Sequence, residues 1–91
     1  MTWRLVVTPK VEALLRALPP QTKRYIREAF DEIRRDPWSG KPLRDELNGL
    51  YSFRVRRFRI VYQIERSLIT VIVVGLGQRG SIYLEIVEGF R

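Results

Sequence analysis

Four arginines fall within residues 51–60, YSFRVRRFRI, and no acidic residue accompanies them. Further along, GQRGSIY places Arg79 four positions before Tyr83. A guanidinium donates hydrogen bonds in a planar fork that matches phosphate oxygens and also stacks on bases, and a phenol can stack on a base or exchange a proton. These residue types suit a site that binds a polyanion and stabilises charge developing on it. Histidine and cysteine are both absent, which removes imidazole acid–base chemistry, thiolate nucleophiles and the usual zinc, haem and iron–sulfur ligand sets. The ten acids are scattered, and Glu28, Asp31 and Glu32 lie among basic residues where they read as surface ion pairs, so a two-metal nuclease centre is not expected. Gly75, Gly77 and Gly80 lack the spacing of a phosphate-cradling loop, and no GK[ST] follows them. The chain is expected to work with no metal and no cofactor.

Seventeen basic residues against ten acidic ones give a net charge of +7, and fourteen of the seventeen are arginine. Such an excess predicts attraction to polyanions. A high-GC genome or a thermophile's ion-paired surface would produce the same arginine bias without any ligand. With 91 residues, 45% of them hydrophobic, the expectation is a single domain spanning residues 1–91 around one core. The opening MTWRLVVTPKVEALL carries an arginine inside its apolar run and a proline directly after it, so it reads as neither signal peptide nor membrane span. The absence of cysteine fits a reducing compartment, and a cytoplasmic protein is expected.

The elements that would position these side chains follow from periodicity and punctuation. WRLVV is a strand candidate, and Thr8-Pro9 supplies a helix cap and first helical residue. Val11, Leu14, Leu15 and Leu18 then form one apolar helical face. Pro19-Pro20 ends that helix and opens a second, in which Ile26, Ala29, Phe30 and Ile33 repeat the spacing. Periodicity is lost through RDPWSGKPLRDELNG, a connecting loop. LYSFRVR, FRIVYQIE, LITVIVVGL and a shorter SIYLEIV have strand composition. The predicted fold is α+β: an N-terminal strand, a helical hairpin, then a four-stranded antiparallel meander (β-α-α-β-β-β-β), with the helices on one sheet face and the other face open.

Strand alternation separates Tyr51, Phe53 and Val55 from Ser52, Arg54 and Arg56, and Phe58, Ile60, Tyr62 and Ile64 from Arg59, Val61, Gln63 and Glu65. If the apolar sets face the helices, Arg54, Arg56 and Arg59 point the other way. A solvated face needs charge for solubility alone. Like charges on adjacent strands repel, however, and neither strand supplies a carboxylate before Glu65, which favours a polyanion that arrives later. Tyr83 has a competing reading as a core aromatic.

GLYSFRVRRFRIVYQI and GQRGSIY, together with the order of elements, resemble the RelE/ParE superfamily of bacterial and archaeal type II toxins. The first is similar to that superfamily's Gly-x-Tyr-x-x-Arg-Val-x-x-Tyr/Phe-Arg-Ile/Val-x-Tyr hallmark, the second to its closing Arg-x-x-x-Tyr segment. DPWSGKPLRDELNG is similar to the Asp-Pro loop that precedes the hallmark. The resemblance spans nearly the whole chain and implies either of two activities: RelE-like members cut mRNA in the ribosomal A site without a metal, and ParE-like members inhibit DNA gyrase. A non-catalytic basic nucleic-acid-binding module is the third class.

On the RelE-like reading, the resemblance puts Arg54, Arg59, Arg79 and Tyr83 at catalytic positions, and Arg56, Arg57, Arg44 and Lys41 along the RNA. Ser52 stands where some members carry a second basic residue, and Arg56-Arg57 replace a frequent Gly-Asp turn. A C-terminal helix is expected to be absent or very short, eight residues following Tyr83. The superfamily implies two partners, a cognate acidic antitoxin and the ribosome with mRNA. It implies no membrane, and oligomers only through the antitoxin complex. A phenol of ordinary pKa about 10 and a guanidinium that stays protonated are poor free-standing bases near neutrality, which predicts slow cleavage of free RNA and dependence on the ribosome to position the strand.

Overall fold

The computed structural model describes residues 2–78 together with 82, 83 and 86. Strand β1 (Arg4–Val7) leads directly into helix α1 (Pro9–Ala17). Thr8 caps that helix, its Oγ1 accepting the Val11 N–H at 3.3 Å, while Pro9 occupies the first turn where no N–H is needed. Val11 is buried and Leu15 and Leu18 are half-buried, but Leu14 is 39% exposed. The nine-residue helix touches the sheet through the stripe 11, 15, 18, and Leu14 lies on its shoulder. Helix α2 (Pro20–Arg35) buries Ile26, Ala29, Phe30 and Ile33, the face expected of it, and leaves Arg24, Arg27 and Arg35 exposed. No helix among the described residues is long and apolar enough to cross a membrane.

The connecting loop contains 3-10 turns at Pro37–Ser39 and Asp45–Leu47 and, between them, a two-residue strand β2 (Lys41–Pro42). Tyr62 fixes this loop from below. Its hydroxyl donates to the Pro37 carbonyl at 2.7 Å and accepts the Gly40 N–H at 3.1 Å. Burial pushes the Tyr62 pKa up to about 12. A Cβ on Gly40 would strike that hydroxyl, which is why the loop needs glycine there.

Strands β3 (Leu50–Val55), β4 (Phe58–Glu65) and β5 (Thr70–Gln78) complete a five-stranded sheet of order β1-β5-β4-β3-β2. β2 to β5 run antiparallel, and β1 adds in parallel along β5, from Arg4 opposite Thr70 to Val7 opposite Val73. A bulge shifts the β4–β5 register: Val61 lies opposite Gly75 but Tyr62 opposite Val73, leaving Val74 as the extra residue. β5 starts two residues later than LITVIVVGL suggests, because Leu68 closes a 3-10 turn and Ile69 adopts a left-handed φ of 48°.

The order of strand, helical hairpin and sheet is the one the sequence predicts, with two corrections. SIYLEIV does not supply the last strand: Ile82, Tyr83 and Ile86, its described residues, are helical. The fourth strand after the helices is β2, drawn from the loop. Nor is the second sheet face open. On the helix side, Val11, Ile26, Phe30, Ile33, Ile60, Tyr62, Val71 and Val73 form the main core. On the other side Ile82 and Ile86 pack with Leu50 and Val61 in a second cluster. Their i, i+4 spacing sets both isoleucines on one helical face. Gly75 and Gly77 make room for them: a Cβ at Gly75 would lie 2.6 Å from Ile86 Cδ1, and one at Gly77 3.3 Å from Ile82 Cβ.

Candidate functional site

The sheet face away from α1 and α2 carries two rows of cross-strand neighbours. Lys41, Ser52, Val61 and Gly75 form one row, and Arg54, Arg59 and Gly77 form the next, about 7 Å further along the strands. Apolar alternation creates this division, since Tyr51, Phe53 and Val55 and their β4 counterparts Phe58 and Ile60 turn to the helices.

Arg54 and Arg59 are direct cross-strand partners. Such a pair of like charges is repulsive by a few tenths of a kcal/mol or more, unless an anion lies between them. Among the described residues the ion pairs are Arg16–Glu12 and Arg34–Asp31, both on the helices, so no described carboxylate neutralises this pair. Arg54 is exposed, its Nε 3.4 Å from the Arg56 carbonyl, a long contact that restrains it weakly. Arg59 is half-buried, and its Nε is inaccessible to solvent with no acceptor among the described residues. A desolvated donor left without a partner costs about 1–3 kcal/mol, which an arriving anion can recover.

A groove of about 240 Å³ opens beside this pair, lined by Arg54, Arg56, Arg57, Phe58, Arg59 and Gln78. Four guanidinium-bearing residues thus border one hollow. Tyr83 reaches the same sheet face from the C-terminal helical residues, its hydroxyl 2.9 Å from Ser52 Oγ. Ser52 is 4% exposed and Tyr83 half-buried, so this contact is shielded from water on the serine side. Tyr83 also packs on the Leu50, Val61, Ile82, Ile86 cluster, which joins the core-aromatic reading to the site reading in one residue.

A family model described as the ParE toxin of type II toxin-antitoxin systems, parDE, matches residues 5–83. The chain belongs to this family of the RelE/ParE toxin superfamily. Toxin RelG of Mycobacterium tuberculosis is 38% identical to it over 71 residues, 76% of this chain and 82% of that protein. The crystal structure of the M. tuberculosis toxin-antitoxin complex RelBE2 superposes with a TM-score of 0.79 at 32% identity, over 87% of this chain and 100% of the other. A free-state mutant of E. coli toxin RelE gives a TM-score of 0.80 over both complete chains, at 21% identity, a likeness of fold.

In this toxin the predicted site residues separate into groups. Arg54, Arg59, Arg56 and Arg57 meet at the groove, and Tyr83 lies one row away at Ser52. Lys41 is exposed opposite Ser52 at the edge of the same face. Arg44, also exposed, is in the loop beyond β2 and does not line the groove. Arg79 lies outside the described residues. Arg56 departs from the expected direction: its φ of 55° turns it to the helix side, where its Cζ sits 3.8 Å over the Tyr25 ring.

Three contributors escape a reading of residue types alone. Ser52 is not merely a missing cation but the hydrogen-bond partner of Tyr83. Gln78 joins the groove because β5 places it opposite Phe58. Tyr25 holds the turn arginine. For Ser52 the signal was present in the alternation, which put it on the same face as Arg54.

Proposed function

We propose that this type II toxin is a metal-independent, ribosome-dependent endoribonuclease that cuts mRNA in the A site. One observation carries the reading: the Arg54–Arg59 pair lines a groove with no described carboxylate to neutralise it, and holds a buried Nε without an acceptor. Phosphate is the ligand that such donors suit.

In the reaction the RNA's own 2′-oxygen attacks the adjacent phosphorus. The 2′-hydroxyl proton departs as the O2′–P bond forms, the P–O5′ bond breaks, and O5′ takes up a proton, leaving a cyclic phosphate and a free 5′-hydroxyl. Arg59, with Arg79, holds the non-bridging oxygens, and Arg54 stabilises charge growing on the leaving oxygen. Tyr83 stacks on a base or relays the proton through its hydroxyl. Lys41, Arg44 and Arg57 extend the positive track along the strand. The ribosome supplies the in-line geometry that guanidinium groups and a phenol cannot impose on free RNA. A cognate acidic antitoxin neutralises the +7 chain in the cytoplasm, and oligomers arise through that complex.

The test is to incubate the toxin with translating ribosomes and map mRNA 3′ ends, comparing wild type with Arg79→Ala and Tyr83→Phe. A-site cleavage lost or strongly reduced in both variants supports the assignment. Equal cleavage by the variants would sink the residue roles, and no cleavage by wild type would sink the enzyme reading. A gyrase supercoiling assay on the same preparation measures the alternative target.

A further inference from the structure

The β3–β4 turn borders two hollows. Besides the arginine groove, a second hollow of about 230 Å³ lies on its helix side, walled by Thr22, Tyr25 and Ile26 of α2 and Val55 and Phe58 of the hairpin, with exposed Arg56 and Arg57 completing it. Arg56, Arg57 and Phe58 line both hollows, so the two are continuous around the turn. Nothing in the catalytic reading uses the second one.

Its chemistry is specific. Apart from Thr22 the walls are apolar and aromatic, while the shared arginines have no carboxylate partner among the described residues. The volume falls below the roughly 300–1,000 Å³ of sites that enclose drug-sized ligands, leaving room for one flat ring system. Arg56 lies over Tyr25 at 3.8 Å, and it does so at the expense of a left-handed φ of 55° in a residue with a side chain. A guanidinium lying over one ring has a second face that can take another planar ring. A ligand that alternates phosphates with flat rings fits a cationic groove joined to an aromatic hollow.

We propose that the hollow formed by Tyr25, Val55, Phe58 and Arg56 is a nucleobase subsite, which receives the base of a nucleotide flanking the phosphate held in the arginine groove. This rests on the reading of that groove as an RNA phosphate site. Tyr25 is then a positioning residue: it holds Arg56 in the plane on which the base stacks.

The experiment measures fluorescence anisotropy with a short single-stranded 2′-O-methyl RNA, which has no free 2′-hydroxyl to attack, and with a matched strand of abasic sites. Wild type binds the base-bearing strand more tightly. Tyr25→Ala weakens that binding about tenfold, the scale of one lost base stack, and leaves the abasic strand's affinity unmoved. Tyr25→Trp retains the preference, and its added indole fluorescence is quenched by the base-bearing strand alone. Equal losses on both strands, or no loss on either, overturn the subsite; the second result would follow if a protein segment were the true occupant. Failure to bind either strand overturns the subsite and the phosphate site together. The nuclease reading is judged separately on ribosomes: base-dependent binding without cleavage removes that reading alone, and cleavage without base dependence removes the subsite alone.

Discussion

Two tyrosines on opposite faces of the sheet differ in what their hydroxyls hold. Tyr62 points to the helices, is fully buried, and uses its hydroxyl as both donor, to Pro37, and acceptor, from Gly40. Tyr83 reaches the other face, is half-buried, and has one hydroxyl partner among the described residues, Ser52, in the row beside an arginine pair with no described carboxylate. A phenol whose hydrogen-bonding capacity is spent on backbone groups can only hold a loop in place. One bonded to a side chain, next to cations with no described carboxylate partner, is placed where a ligand could meet it.

The largest effect that sharpens this contrast is on the arginine side. Arg59→Ala should lower ribosomal cleavage by about 100- to 1,000-fold, the scale of losing one preorganised charge-stabilising group. Its urea midpoint should be no lower than that of wild type, because the change removes a like-charge pair and a desolvated donor. A large fall in stability with unchanged cleavage would mean that this face is structural too.

Tyr62→Phe is the mirror experiment. It leaves the Pro37 carbonyl and Gly40 N–H without their partner and should cost about 1–3 kcal/mol by denaturant titration, with cleavage per folded molecule changed only slightly. Alkaline pH tests the same group. Its folded pKa of about 12 exceeds the value near 10 in the unfolded chain, so between these values the unfolded state holds fewer protons. The stabilisation is therefore complete below about pH 10 and is lost as pH rises towards 12, on the order of 2–3 kcal/mol. The gap between wild type and Tyr62→Phe should narrow over that window, and a gap constant across it would contradict the assignment.

Ser52 tests the other tyrosine. Ser52→Ala frees the Tyr83 hydroxyl and should reduce kcat about tenfold with KM little changed, while Ser52→Thr, which keeps the oxygen, should recover most of the rate. Because Ser52 acts through Tyr83, the double variant with Tyr83→Phe should cleave no more slowly than Tyr83→Phe alone. Additive losses would separate the two residues.

Much of this arrangement was legible in the sequence because it rests on period. Alternation over residues 51–64 separated the side chains facing the helices from those on the other sheet face, and the helical spacing of Ile26, Ala29, Phe30 and Ile33 named the buried face of α2. What escaped rests on contacts between segments distant in the chain. Ile82 and Ile86 have spacing that suits a helix, yet SIYLEIV also alternates, and only the groove left by Gly75 and Gly77 decides between them. That pair of glycines two apart on one strand face was the available signal. The parallel addition of β1 to β5, and the meeting of Ser52 with Tyr83 thirty-one residues away, have no local signature. Arg56 was misdirected because alternation stops at a turn, where φ rather than strand pleat aims the side chain.

That turn provides the smallest and most discriminating prediction. In ordinary backbone glycine is the less stable choice, since it loses more conformational freedom on folding than alanine does. At position 56 the φ of 55° reverses this, because a Cβ there costs about 1–2 kcal/mol. Arg56→Ala keeps that strain and removes the stacking on Tyr25, itself about 0.5–1 kcal/mol, so it should lower stability by roughly that amount. Arg56→Gly loses the same stacking but relieves the strain. It should therefore be the more stable of the two variants and lie within about 1 kcal/mol of wild type. Denaturant midpoints of the three proteins decide it. If alanine proves more stable than glycine, the turn is not held in a strained conformation, and the placement of Arg56 over Tyr25 owes nothing to it.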